Sequence, residues 1–303
     1  MKKNLLQKLN TSIGGIAFSL MMVLFVMINF IGQAIVGAIF GMESVYFTVI
    51  CSCFSVFTMF LVVGIFKFTT EEKFLSLTNL KPFKWYFLPL ALFLSAAMFF
   101  GVGFVNDTLV RAFEKLGVRL GGVDIPLDNF GQYVLFSVVL ALLPAVFEEV
   151  FFRGLIIKCL AGVKPLYTVI AVSLCFALYH CSAAQLVYQL IYGALLTLLA
   201  LTAKSSIPSM IAHFINNFAV ITLEYFNVSV NLYNLVGIIL GSLSLGAITA
   251  LMIILLKKGQ KIIKKDGDTN KISSFYIFAS LGIFTCLLMM VGSIIMSLIG
   301  GAV

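Results

Sequence analysis

The chain has 303 residues, of which 61% are hydrophobic and 11% charged, and a formal net charge of +8; its mean hydropathy is +1.12. Soluble domains carry about 25% charged residues, so this composition excludes a soluble globular protein and points to a polytopic membrane protein. The basic residues are scattered over short connections between apolar runs, which excludes a nucleic-acid-binding patch and fits the charge bias of membrane proteins.

Taken in order, the chain opens on Met1-Lys2-Lys3, which looks like the basic start of a signal peptide. The apolar run that follows, Ile13–Phe40, is far longer than the roughly 7 to 15 residues of a signal core, so it reads as an uncleaved first span. Further runs follow at Ser44–Phe66, Phe83–Val105, Phe130–Leu160, Leu166–His180, Leu186–Ala203, Ile207–Tyr225, Val230–Leu256 and Phe275–Ile299. About 20 apolar residues cross a bilayer. The expected fold is therefore an all-α transmembrane helix bundle of eight or nine spans, eight because the two runs after Lys164 are short. Residues 1–129 form N-terminal spans and a connector, 130–226 a core, and 227–303 C-terminal spans.

A cytoplasmic start agrees with the charges. The inside connections then hold Lys2, Lys3 and Lys8; Lys67, Lys73, Lys81 and Lys84; Lys158 and Lys164; Lys204; and Lys257, Lys258, Lys261, Lys264, Lys265 and Lys271. The outside ones hold only Arg111, Lys115 and Arg119, against Asp107, Glu114, Asp124 and Asp128. The expectation is an integral protein of a bacterial plasma membrane with its N-terminus cytoplasmic.

Two connections have character of their own. Asn106 to Asn129 fits a short amphipathic helix carrying Leu109, Val110, Phe113 and Leu116 on one side, either an interfacial lid or a plain connector. Lys257 to Lys271 is a basic hairpin that serves topology, or contacts anionic lipid. All six cysteines lie in or beside apolar runs and read as small buried hydrophobes; Cys51 and Cys53 lack redox or zinc spacing. With no soluble domain and no phosphate-binding loop, function must reside inside the membrane.

The chemistry is concentrated in Leu143–Arg153, where Glu148, Glu149 and Arg153 interrupt an apolar run. A charge at the centre of a spanning helix costs at least about 2.5 to 3.5 kcal/mol. Glu149 and Arg153 are four apart with the acid first, the better orientation for an ion pair. Glu148 lies about 100° round the helix and is left for other partners. The bland alternative is a charge cluster that only locks helices together.

The two histidines of the chain, His180 and His213, follow in the next helices. Phe176 lies one turn before His180 and can shield its ring; Asn217 shares a helix face with His213, with Asn216 as the competing choice. Each alone reads as readily as an interhelical hydrogen-bond partner. Jointly they suggest hydrolysis, which needs a positioned water, a base and donors to an oxyanion. No G-x-S-x-G serine, suitable cysteine or H-E-x-x-H is present.

Glu148-Glu149-x-x-x-Arg153, Phe176-x-x-x-His180 and His213-x-x-x-Asn217, in this order, resemble the three motifs of the CPBP (Abi) family of intramembrane proteases. That family includes type II CAAX prenyl endopeptidases and bacterial proteins linked to bacteriocin processing and self-immunity. The resemblance covers roughly Gln132–Ala219. It implies that Glu148 activates water with His180, that His213 and Asn217 stabilise the oxyanion, and that Glu149 and Arg153 are structural. It also implies a membrane-associated or lipidated peptide or protein as substrate, with membrane lipids as surroundings and no nucleic acid. Zinc held by Glu148, His180 and His213 is the alternative. It would consume Glu148 as a ligand, so a metal-free site is favoured. The competing functions are a non-proteolytic scaffold or immunity protein of the same fold, and a proton-coupled transporter.

One difficulty is geometric. Measured from a turn near Val163, Glu148 and His180 lie about 23 and 26 Å along their axes, whereas His213 is about 10 Å into its helix. Bringing them level requires tilt, a kink near Pro208, or a dip of the Cys181–Gln185 connection.

Overall fold

The computed structural model describes residues 9–115, 117–118, 125–228 and 268–300, and among them there are helices and no strand. The expected span Val230–Leu256 and most of the basic hairpin after it lie outside the described residues.

Helix α1 (Thr11–Phe40) starts where the Asn10 side chain accepts from the Ile13 amide and stops at Gly41, whose φ of 80° breaks the helix. Helix α2 (Val45–Thr69) is capped in the same way by Ser44. After a single turn, α3 (Phe74–Leu77), comes α4 (Phe87–Lys115), which carries a wide π-helical turn at Met98–Val102. Helix α5 (Phe130–Cys159), capped by Asn129, has two such turns, at Ser137–Leu142 and Val150–Ile156. Then follow α6 (Pro165–Tyr179), α7 (Leu186–Ala203), α8 (Ile207–Tyr225) and α9 (Lys271–Gly300).

Six of these helices, α1, α2, α4, α5, α7 and α9, are long and apolar enough to cross a membrane. Helix α6 is equally apolar but has 15 residues, and α8 is diluted by Ser209, His213, Asn216 and Asn217. The amphipathic helix expected from Asn106 is helical as far as Lys115, but it continues α4 instead of standing apart, and Asp107 and Arg111 support its turn with a 3.1 Å ion pair.

Helix α1 packs along α9 and α2, and Ser19 stitches the first pair by donating to the Phe278 carbonyl (2.7 Å) and accepting from the Gly282 amide (3.0 Å). Helix α8 packs against α4, α5 and α7, with Ser95 of α4 donating to the Ala212 carbonyl at 2.7 Å.

Residues 70–86 act as a strap across one end of the bundle. Lys158 reaches Ser76 (2.9 Å) and Glu72 (3.3 Å), while Ser206 and Ser205 donate to the carbonyls of Thr78 (2.9 Å) and Lys81 (2.6 Å). The strap comes so close that a Cβ on Gly154 would stand 2.8 Å from the Thr78 backbone, so only glycine fits there. The Asp268 amide donates to the Gly162 carbonyl, which brings the start of α9 to the same end.

Candidate active site

Glu148 and Glu149 sit in the short stretch Leu143–Glu149, bracketed by the two wide turns of α5. Pro144 explains the first: it has no N–H to donate, and a widened turn relieves the clash of its ring with the preceding carbonyls. The result is that the two carboxylates point into the bundle, with Glu149 fully buried and Glu148 6% exposed.

Arg153 Nη1 donates to Glu149 Oε1 at 2.6 Å, and both side chains are wholly buried. Nη2 donates to the Gly193 carbonyl at 3.0 Å, and the guanidinium lies over the Phe176 ring at 4.3 Å from its centroid. Gly193 is small for a reason, since a Cβ there would meet Phe176 at 3.0 Å and Ser173 at 3.2 Å. The charge of Arg153 is thus met by a carboxylate, a carbonyl and an aromatic face at once.

Glu149 has a second partner that its helix does not reveal. His213 Nδ1 lies 3.1 Å from the same Oε1. The other nitrogen, Nε2, is 3.9 Å from Glu148 Oε2, which has no hydrogen-bond partner. His180 Nδ1 pairs with the Phe176 carbonyl at 2.8 Å, so it carries the proton and leaves Nε2 as the acceptor. Phe176 therefore touches Arg153, His180 (4.9 Å) and His213 (5.8 Å) with one ring.

The depth problem of His213 is met at the start of α8. Ser205, Ser206 and Ser209 are fully buried beneath the strap, so the helix begins inside the protein. Pro208 falls in its first turn, where no amide hydrogen bond is lost, and a kink at that residue is not what levels His213.

Glu148, His180, His213, Asn216 and Asn217 line one cavity of about 760 Å³. Asn217 Nδ2 is 3.5 Å from the Leu140 carbonyl, a long contact, whereas Asn216 Oδ1 is held at 2.7 Å by the Tyr188 hydroxyl. Sequence reasoning missed the remaining polar lining: Asn106, Asp107 and Arg111 of α4, and Gln185, Tyr188 and Gln189 at the start of α7. The i,i+4 pair Gln185 and Gln189, polar at the edge of an apolar run, was a signal that could have found part of it.

Residues 130–219 match the family model Rce1-like: Type II CAAX prenyl endopeptidase Rce1-like. Over this segment the chain is similar to the CAAX-protease family. The matched span holds all seven residues of the three motifs, from Glu148 to Asn217. No curated protein and no solved structure matches the chain.

Among the described residues no three His, Cys, Asp or Glu side chains are grouped to hold one ion. One ring nitrogen of each histidine is engaged, by Glu149 and by the Phe176 carbonyl, an anchoring that serves a water-holding and a metal-holding ring alike.

Proposed function

We propose that the protein is an intramembrane endopeptidase that cleaves a membrane-associated or lipidated peptide with water activated by Glu148. The observation that carries this is the pairing of a buried carboxylate oxygen that has no hydrogen-bond partner, Glu148 Oε2, with His213 Nε2 at 3.9 Å in a lined cavity. A gap longer than a direct hydrogen bond is the spacing that a bridging water or a substrate oxygen fills.

In this reading Glu148 takes a proton from water while Nε2 of His180 accepts the other O–H and orients it. The hydroxide attacks the scissile carbonyl carbon. Glu148 then returns the proton to the departing amine, so the residue begins and ends as a carboxylate. The oxyanion is met by Asn217 Nδ2, which is a donor in every protonation state. His213, its Nδ1 held by Glu149, adds Nε2–H when both its nitrogens carry protons. Glu149 is then a positioning residue for His213 as well as the partner of Arg153.

The family description, a CAAX prenyl endopeptidase, supports a substrate with a lipidated C-terminal region; peptide precursors tethered at the membrane fit the same cavity. The test is to incubate purified protein with a panel of membrane-anchored and C-terminally lipidated peptides beside Glu148→Ala. Cleavage by the parent chain with loss of about 100- to 10,000-fold in the variant is expected. Equal cleavage by both removes Glu148 as the base.

A further inference from the structure

We propose that the site is entered from the non-cytoplasmic face, and that the substrate is a peptide segment lying on that face beside an apolar anchor in the same leaflet. This names the substrate class of the endopeptidase proposed above and rests on that reading.

The cavity runs from buried to exposed residues in one direction. Its inner end is Glu148 and His213, 6% and 3% exposed; its outer end is the ion pair of Asp107 and Arg111, whose side chains are 37% and 59% exposed. Gln185, also exposed, lines the same outer end from the start of α7. Asp107 and Arg111 occupy the last turns of α4, the end away from the strap that precedes α4.

The opposite end of the bundle is where the lysines gather. The strap carries Lys73, Lys81 and Lys84 and is tied to Lys158; the Lys204 turn is tied to the strap through Ser205 and Ser206; Lys271 follows Asp268, which is tied to Gly162. Among the described residues, Lys115 is the sole lysine at the mouth end, where Glu43, Asp107, Glu114, Asp128 and Glu224 also stand. Lysine-rich connections stay cytoplasmic because translocating them across the membrane is disfavoured. The mouth therefore opens on the other side.

One wall of the cavity also reaches the apolar surface of the bundle. Val220, five residues before the mouth-side end of α8, lines the cavity and is 49% exposed on the bundle surface. Polar and charged groups at the mouth suit a peptide chain, and this apolar edge suits a tether lying in the outer leaflet.

The experiment reads sidedness without relying on catalysis. Arg111→Cys, Gln185→Cys and Lys73→Cys are expressed separately in the full chain, and a membrane-impermeant maleimide is added to intact and to permeabilised cells, with the parent chain as the blank. Arg111→Cys and Gln185→Cys should be labelled as fully in intact cells as after permeabilisation, and Lys73→Cys only after it. Two mouth positions guard against one variant misfolding. Labelling of the mouth only after permeabilisation, or of Lys73→Cys in intact cells, overturns the proposal. A lipid-tethered peptide is then offered to right-side-out and inverted vesicles, and cleavage by the first alone is expected; cleavage by the inverted vesicles alone overturns it. The labelling pattern without cleavage in either vesicle keeps the sidedness and removes the endopeptidase reading.

Discussion

His213 and Arg153 share one oxygen: Oε1 of Glu149 receives Nη1 of the arginine at 2.6 Å and faces Nδ1 of the histidine at 3.1 Å. Glu149 therefore couples the ion pair inside α5 to the ring carried by α8. Disturbing the arginine should be felt at the histidine.

Arg153→Ala leaves Glu149 as a buried carboxylate without its cation, a change that typically costs about 3 to 5 kcal/mol. A large fall in thermal stability in detergent is expected, together with loss of activity. Arg153→Lys should recover little, because an ammonium cannot meet Glu149, the Gly193 carbonyl and the Phe176 face together. Full stability in the lysine variant would show that the charge alone suffices.

Glu148 behaves in the opposite way. Its Oε2 is buried and without a partner, so Glu148→Gln removes a desolvated charge and breaks no hydrogen bond of that oxygen. Stability should hold or rise while turnover falls about 100-fold or more. A melting temperature measured alongside the kinetics separates this outcome from misfolding.

The two asparagines should separate by kinetics. Asn217→Ala is expected to lower kcat more than it raises KM, as for a group acting mainly on the transition state. Asn216→Ala should instead cost about 1 kcal/mol of stability, since Asn216 receives the Tyr188 hydroxyl at 2.7 Å. Tyr188→Phe should cost a similar amount and the double variant little more, a non-additive cycle that additive losses would contradict.

Metal removal gives a further test. A glutamate-and-histidine water site should retain full activity after prolonged chelation, and elemental analysis should find well under one zinc per chain. A stoichiometric zinc lost together with activity in His213→Ala would reassign Glu148, His180 and His213 as ligands.

The helical fold was legible because a bilayer leaves a crude mark, about 20 apolar residues per crossing, that needs no knowledge of packing. The continuity of α4 was not: Asn106–Lys115 reads as an amphipathic helix in a polar connection, and only the structure shows that it prolongs the span. Within the site, Glu149 and Arg153 could be paired from their spacing in one helix. The contact of Glu149 with His213 could not, because it joins residues 64 apart in sequence and depends on how deep α8 begins. The strap escaped notice for a related reason. Its bonds run from serine hydroxyls to main-chain carbonyls, and no side-chain pattern marks a carbonyl as an acceptor.

The strap also bears on how the chain is made. Residues 78 and 81 leave the ribosome long before Ser205 and Ser206, whose hydroxyls end on their carbonyls, and before Gly154, against which Thr78 rests. The matched segment 130–219, produced by itself, would present this bare glycine face and the α8 serines with no acceptors. It is a recognisable piece of sequence whose packing partners lie outside it. The first third of the protein therefore supplies the acceptors that the later helices need.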